Sequence, residues 1–231
     1  MIAHGVAYMV RGGSQLYFAL TNRSTTVTLI ASRGPKFAFG NTFQWLEPGY
    51  EPSGAELASA LVDAQTSTAF QAWDRKNVVL AGGGEPLLCL KPLDDLLSSP
   101  VAAAYSFRLV TNGLFPRKLV RQHLAGRISS ASVAVNGHDD LSYRMIMEPD
   151  EAVVRTCHEL NMTYDRSPGT TQTDGVCALA VVQDFVRECR AVGISVDVTC
   201  VDRPNVVDLA AVEAFAVSVG AGFRTRQYFG E

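Results

Sequence analysis

The sequence predicts an α/β fold built on a parallel sheet of six strands. Two observations predict it. Six short apolar runs alternate with longer stretches of helical period along the 231 residues, and strands that alternate with helices join as parallel neighbours through right-handed crossovers. No internal repeat or domain-scale linker breaks this order, so one domain over 1–231 is expected. Six such units suit either an open doubly wound sheet or a partial barrel.

The elements follow in order. QLYFALT (15–21) reads as the first strand. Ser53 with Glu56 three residues on forms a capping box that opens a helix, with Leu57, Leu61 and Val62 as its apolar face. NVVLAG (77–82) is a buried-strand run ended by glycine, and LKPLDDLLSS (90–99) a short helix. YSFRLVT (105–111) is the third strand, stopped by Asn112-Gly113. Pro116 and Gly126 bracket a helix over 115–126, and SSASVAV (129–135) is the fourth strand. Residues 139–160 carry a less regular helical pattern. The polar, Gly/Pro/Ser/Thr-rich stretch 164–175 reads as an exposed insertion. A strong amphipathic helix (176–193), an alternating strand (194–201), a helix (206–220) and a last strand (223–229) complete the chain.

Composition narrows the function classes. Apolar residues make up 47% and charged residues 19%, as in a folded globular chain. A net charge of −3 gives no indication of nucleic-acid binding, and no apolar run approaches a membrane span. The first residues show no signal-peptide layout, which makes the cytoplasm the expected compartment and an organelle the alternative. The five cysteines (Cys89, Cys157, Cys177, Cys189, Cys200) form no CxxC-type cluster and read as reduced, mostly buried thiols.

In parallel α/β folds ligands gather at the carboxyl ends of the strands. There the chain carries Gly82–Pro86 (GGGEP), Thr111–Gly113, Asn136 with His138, Asp139 and Asp140, and VDRP after the fifth strand. Three glycines allow a ligand close to backbone amides, and Glu85 could accept from a cationic amino group; a tight surface turn is the plainer alternative. Arg224 and Arg226 share one face of the last strand, where they meet either a carboxylate ligand or acids such as Asp197 and Asp202. His138 reads as a surface imidazole more readily than as a catalyst.

Taken in order, LTNR (Leu20–Arg23), GGGEP, TNGL (Thr111–Leu114), SVAVN (Ser132–Asn136), VDRP (Val201–Pro204) and RTRQY (Arg224–Tyr228) resemble the motifs of the radical S-adenosylmethionine (SAM) superfamily, and within it the TatD-linked radical SAM proteins. The resemblance runs from about residue 15 onward. It implies a partial (β/α)6 barrel and a SAM site, with Gly82, Gly83, Gly84 and Glu85 at the methionyl amino group and Asn136 and Arg226 at further motif positions. It also implies a [4Fe–4S] cluster held by a CxxxCxxC loop, and here the chain departs from the family. The cysteine positions fall on Ser24, Thr28 and Ala31. Neutral hydroxyls are poor iron ligands and a methyl group is none.

The expectation is therefore a degenerate member: no cluster, SAM binding weak at most, no radical chemistry, and a role as a non-catalytic scaffold or subunit with protein partners in a larger assembly. The alternative is a cluster-free protein that binds SAM or another small molecule, as a sensor or non-radical transferase. A cluster assembled from distant cysteines ranks last, since Cys177 and Cys189 in one helix lie about 18 Å apart along its axis.

Overall fold

The computed structural model describes residues 5–9, 14–38, 43, 45–164 and 176–230. Seven strands form one sheet in sequence order: β1 (Ala7–Met9), β2 (Leu16–Phe18), β3 (Asn77–Leu80), β4 (Ser106–Thr111), β5 (Ser130–Ala134), β6 (Ser195–Asp202) and β7 (Gly222–Gln227). Strands β2 to β7 pair in parallel, as the alternating pattern requires. β1 pairs antiparallel with β2 and adds a strand that the sequence reading does not contain. The sheet is open, with β1 and β7 as its edges, and its strands follow in sequence order with no reversal of the doubly wound kind, so the architecture is a partial barrel.

Alternation along the strands sorts the two faces. Leu16 and Phe18, Val78 and Leu80, Phe107 and Leu109, and Val196 and Val198 are buried in one apolar core with helix residues such as Leu57, Leu61, Leu93 and Phe185. The intervening residues face the other way and are more polar. Register aligns Tyr8, Tyr17, Val79 and Arg108 across β1 to β4, and Ser132 with Asp197, Thr199 with Arg224, and Val201 with Arg226 further along.

The crossover helices match the pattern with three corrections. Helix α1 (Gly54–Thr66) has the expected capping box: Ser53 Oγ accepts from the Glu56 amide at 3.2 Å, and Glu56 Oε2 accepts from the Ser53 amide at 2.8 Å. Its buried face is Leu57, Ala60, Leu61 and Ala64; Val62 is 55% exposed, one position off that stripe. Helix α2 spans Leu90–Ser98. The run at 115–126 is an α turn, α3 (Arg117–Leu119), that widens into a π turn over Val120–Leu124. Residues 139–160 are two helices, α4 (Asp140–Met147) and α5 (Glu151–Tyr164). The break falls at Glu148, which adopts φ 42°. Pro149 follows it, and a residue before proline is steered away from the helical region. Helices α6 (Ala178–Ala191) and α7 (Leu209–Ser218) lie where expected. The polar stretch 164–175 lies, apart from its first residue, outside the described residues. Among the described residues no helix is long and apolar enough to cross a membrane.

Candidate functional site

The turns after β2, β3 and β4 interlock at the carboxyl edge of the sheet. Thr21 Oγ1 and Arg23 Nε both donate to Glu51 Oε1 at 2.6 Å, and the Arg23 bond holds that carboxyl below its ordinary range against the opposing effect of burial. Asn22 grips the backbone of Leu46 from both sides, donating to its carbonyl at 2.7 Å and accepting from its amide at 3.3 Å. The glycine turn then pairs with this segment: Gly84 N donates to Thr21 O at 3.0 Å and Glu85 N to Arg23 O at 2.7 Å. A Cβ on Gly84 would overlap the Arg23 carbonyl oxygen, so glycine is required there by close approach of two backbones. Gly83 is covered in the same way by the ring of Trp45.

Glu85 is 3% exposed and faces into the protein. Its carboxylate accepts from Thr111 Oγ1 and from the Asn112 amide, both at 2.8 Å, and from the Leu87 amide at 3.3 Å. Burial pushes its pKa up to about 7 despite those donors. Asn112 carries the network on, donating to Thr25 Oγ1 at 3.0 Å and Thr26 Oγ1 at 3.1 Å. The TNR, GGGEP and TNG segments thus meet in space, joined by one continuous set of hydrogen bonds.

At the three expected cluster positions the groups serve local turns. Ser24 Oγ accepts from the Thr26 amide at 3.3 Å, and Thr28 Oγ1 from the Ala31 amide at 3.1 Å. Ala31 opens a 3-10 turn over Ala31–Arg33. This donor set does not fit an iron–sulfur cluster, since it offers no thiolate. Among the described residues no group of three or more His, Cys, Asp or Glu is placed to hold a metal. Cys89, Cys157, Cys189 and Cys200 are buried and Cys177 half-buried; Cys177 stands at the N-cap of α6 and Cys189 within it. Burial raises the pKa of every one of these thiols.

Asn136 is 2% exposed and ties strand ends together, accepting from the Val201 amide at 2.9 Å and donating to Met147 Sδ at 3.0 Å. His138 Nδ1 accepts from the Asp208 amide at 3.2 Å and meets Ser142 Oγ at 3.2 Å, which splices α4 to the start of α7. Asp139 caps α4 and Asp140 pairs with Arg144 at 2.6 Å, so both acids begin a helix as expected.

A cavity of about 390 Å³ lies on the polar face of the sheet, at the carboxyl ends of the parallel strands. Gly82, Gly84, Asn136 and Arg226 line it; Gly83 and Glu85 do not. Tyr8, Tyr17 and Phe37 give it aromatic walls, and Arg33 and Arg108 join Arg226 in it. Arg108 lies on β4 and donates to Gln15 Oε1 at 3.0 Å and Tyr17 OH at 3.1 Å. Arg33 comes from the loop that carries the expected cluster positions. It donates from Nε to Gln227 O at 2.8 Å and lies over the rings of Phe37 and Phe229. The same loop pairs with the chain beyond β7, through Phe229 N to Arg33 O at 2.7 Å and Lys36 N to Phe229 O at 3.3 Å. It thereby spans from the β2 side of the open sheet to its β7 edge and covers the cavity.

Arg33 and Arg108 are the site residues that sequence reasoning missed. Arg108 had a legible signal: it is the one charge in the run YSFRLVT, at an alternate position of a buried strand. Arg33 had none, because its place depends on a contact with a segment 194 positions away. Arg224, paired with Asp197 at 2.8 Å, follows the structural alternative of its two readings.

No protein-family model matches the chain, and no curated protein matches it. Among solved structures it is similar to a radical SAM methyltransferase from Sphaerobacter thermophilus, with 12% sequence identity and a TM-score of 0.43. The match covers 92% of this chain and 66% of that one, so the chain spans just under two thirds of that protein's length.

Proposed function

We propose that the chain is a radical-SAM-type fold, akin to the TatD-linked proteins, that has lost cluster chemistry and acts as a non-catalytic protein that binds a small molecule in the strand-end cavity. The observation that carries this reading is a contrast within one loop. Ser24, Thr28 and Ala31, where the motif places three thiolates, serve local turns, while Arg33 and Phe37 a few residues on line a cavity of about 390 Å³. That volume falls within the range of ordinary ligand sites.

Anaerobic reconstitution with ferrous iron and sulfide tests the loss of chemistry. The expected product has no bound iron and no broad visible charge-transfer absorption, and cannot cleave SAM under reduction. A stoichiometric cluster that survives desalting overturns the reading.

A scaffold role in an assembly is the second reading. It is favoured by Leu141 and Met145, which are 69% and 52% exposed one turn apart on α4. Its mark would be a partner that co-purifies with the wild type and is lost from the Leu141→Glu, Met145→Glu double variant.

A further inference from the structure

The charge inside the cavity is one-sided. Arg33, Arg108 and Arg226 line it, and no Asp or Glu does so among the described residues. Arg224 stands next to them on β7 but is neutralised by Asp197 at 2.8 Å. Arg33, Arg108 and Arg226 have no carboxylate partner among the described residues. Arg33 is bound to a carbonyl, and Arg108 to an amide oxygen and hydroxyls, with its Nε buried and unpartnered. Arg226 makes no side-chain hydrogen bond among the described residues. Burial, and then the neighbouring guanidiniums of Arg224, Arg33 and Arg108, lower its pKa, so its charge is held against both desolvation and repulsion.

Like charges gathered in a partly enclosed site cost stability unless something of opposite sign enters. Guanidinium forks match the two-pronged geometry of carboxylate and phosphate oxygens. The rest of the lining gives the shape of the other end. Tyr17, half-buried over the 3%-exposed Tyr8 at 5.3 Å between ring centroids, and the half-buried Phe37 beside Arg33 give a flat or apolar body aromatic surface to rest on.

We infer that the cavity binds a small oxyanion, a phosphate monoester or a carboxylate carried on a planar body, with Arg226 as the principal contact and Arg33 and Arg108 beside it. This rests on the reading of the cavity as a ligand site and adds the ligand's chemical class. It also disfavours SAM, whose carboxylate could meet a guanidinium but whose sulfonium and ammonium leave it with a net positive charge among three arginines.

A charge ladder on one body tests it. Phenyl phosphate, benzoate and phenol are added at millimolar concentration to the full chain in a low-salt, phosphate-free buffer, with SAM as a fourth probe. Thermal shift and calorimetry report binding. The expected order is phenyl phosphate over benzoate over phenol, with SAM at or below phenol, and with the phosphate effect fading as salt is added. Arg226→Met is expected to weaken phenyl phosphate at least tenfold while raising the melting temperature of the ligand-free chain, because it removes the repulsion. Arg226→Lys keeps the charge and restores part of the affinity. If phenol or SAM binds as well as phenyl phosphate, the oxyanion assignment falls while the cavity remains a ligand site. If none of the four binds to folded protein, the ligand-site reading falls and the inference with it. Phenyl phosphate binding that Arg226→Met leaves unchanged also overturns the assignment.

Discussion

The Thr111 hydroxyl donates to the Glu85 carboxylate at 2.8 Å across two neighbouring strand ends, and that carboxylate is 3% exposed. Glu85, the acid of the GGGEP motif, is the inner anchor of the turns that frame the cavity.

That anchor has a pH signature. Burial raises Glu85 from 4.5 to about 7, so the folded chain binds more protons than the unfolded chain between those values. Stability contributed by the protonated form is present at low pH and is lost as pH rises from about 4.5 through 7. The expected loss has a ceiling on the order of 3 kcal/mol. Denaturant titrations of the wild type and Glu85→Gln at several pH values check it. The wild type should lose stability relative to the variant between pH 5 and 8; parallel curves would refute the assignment.

Asn112 is expected to matter as much as any apolar core residue of its size. Asn112→Ala deletes two bonds to the buried Thr25 and Thr26 hydroxyls and leaves the Leu114 amide without its side-chain acceptor. The loss should be about 2–3 kcal/mol, read from the denaturant midpoint with an unchanged slope.

Gly84→Ala is expected to lower stability by more than 2 kcal/mol, because the new methyl group overlaps a backbone carbonyl rather than a side chain that can swing away. Gly126→Ala offers a contrast. There the cost comes from a φ of 72° alone, since no atom lies within 4 Å of the added carbon, and about 1 kcal/mol is expected. Thermal melts of the pair separate crowding from backbone strain.

Helix α1 gives the fourth test. Leu61→Ala should cost 2–5 kcal/mol, since Leu61 is fully buried. Val62→Lys, at a position 55% exposed, should stay within about 0.5 kcal/mol of the wild type.

The six parallel strands were legible because each buries one face in a common core, and that leaves alternation or an unbroken apolar run in the sequence. The antiparallel strand was not. Ala7–Met9 is three residues long, and its pairing with Leu16–Phe18 carries no more pattern than a loop. The break at Glu148 was available from Pro149, but it was hidden by helical periodicity on both sides of it. At the site, the strand-end segments that carry the motifs come together, but which of their side chains line the cavity was not legible. A carboxylate three residues beyond a glycine turn looks the same in sequence whether it points out or in. Only the paired Thr111 and Asn112 donors reveal that Glu85 points inward.

The bond from Arg33 to the Gln227 carbonyl joins positions 194 apart, and Phe229 closes a second link to the same loop. Closing so long a chain segment is slow and entropically costly. The cover of the cavity is expected to form after the sheet that it spans and to open before it. Amide exchange at Lys36 and Phe229 should run at one shared rate, faster than in β3 to β6. A shared rate would give the pocket its own opening equilibrium, by which a ligand held beneath the cover would slow the exchange of both segments together.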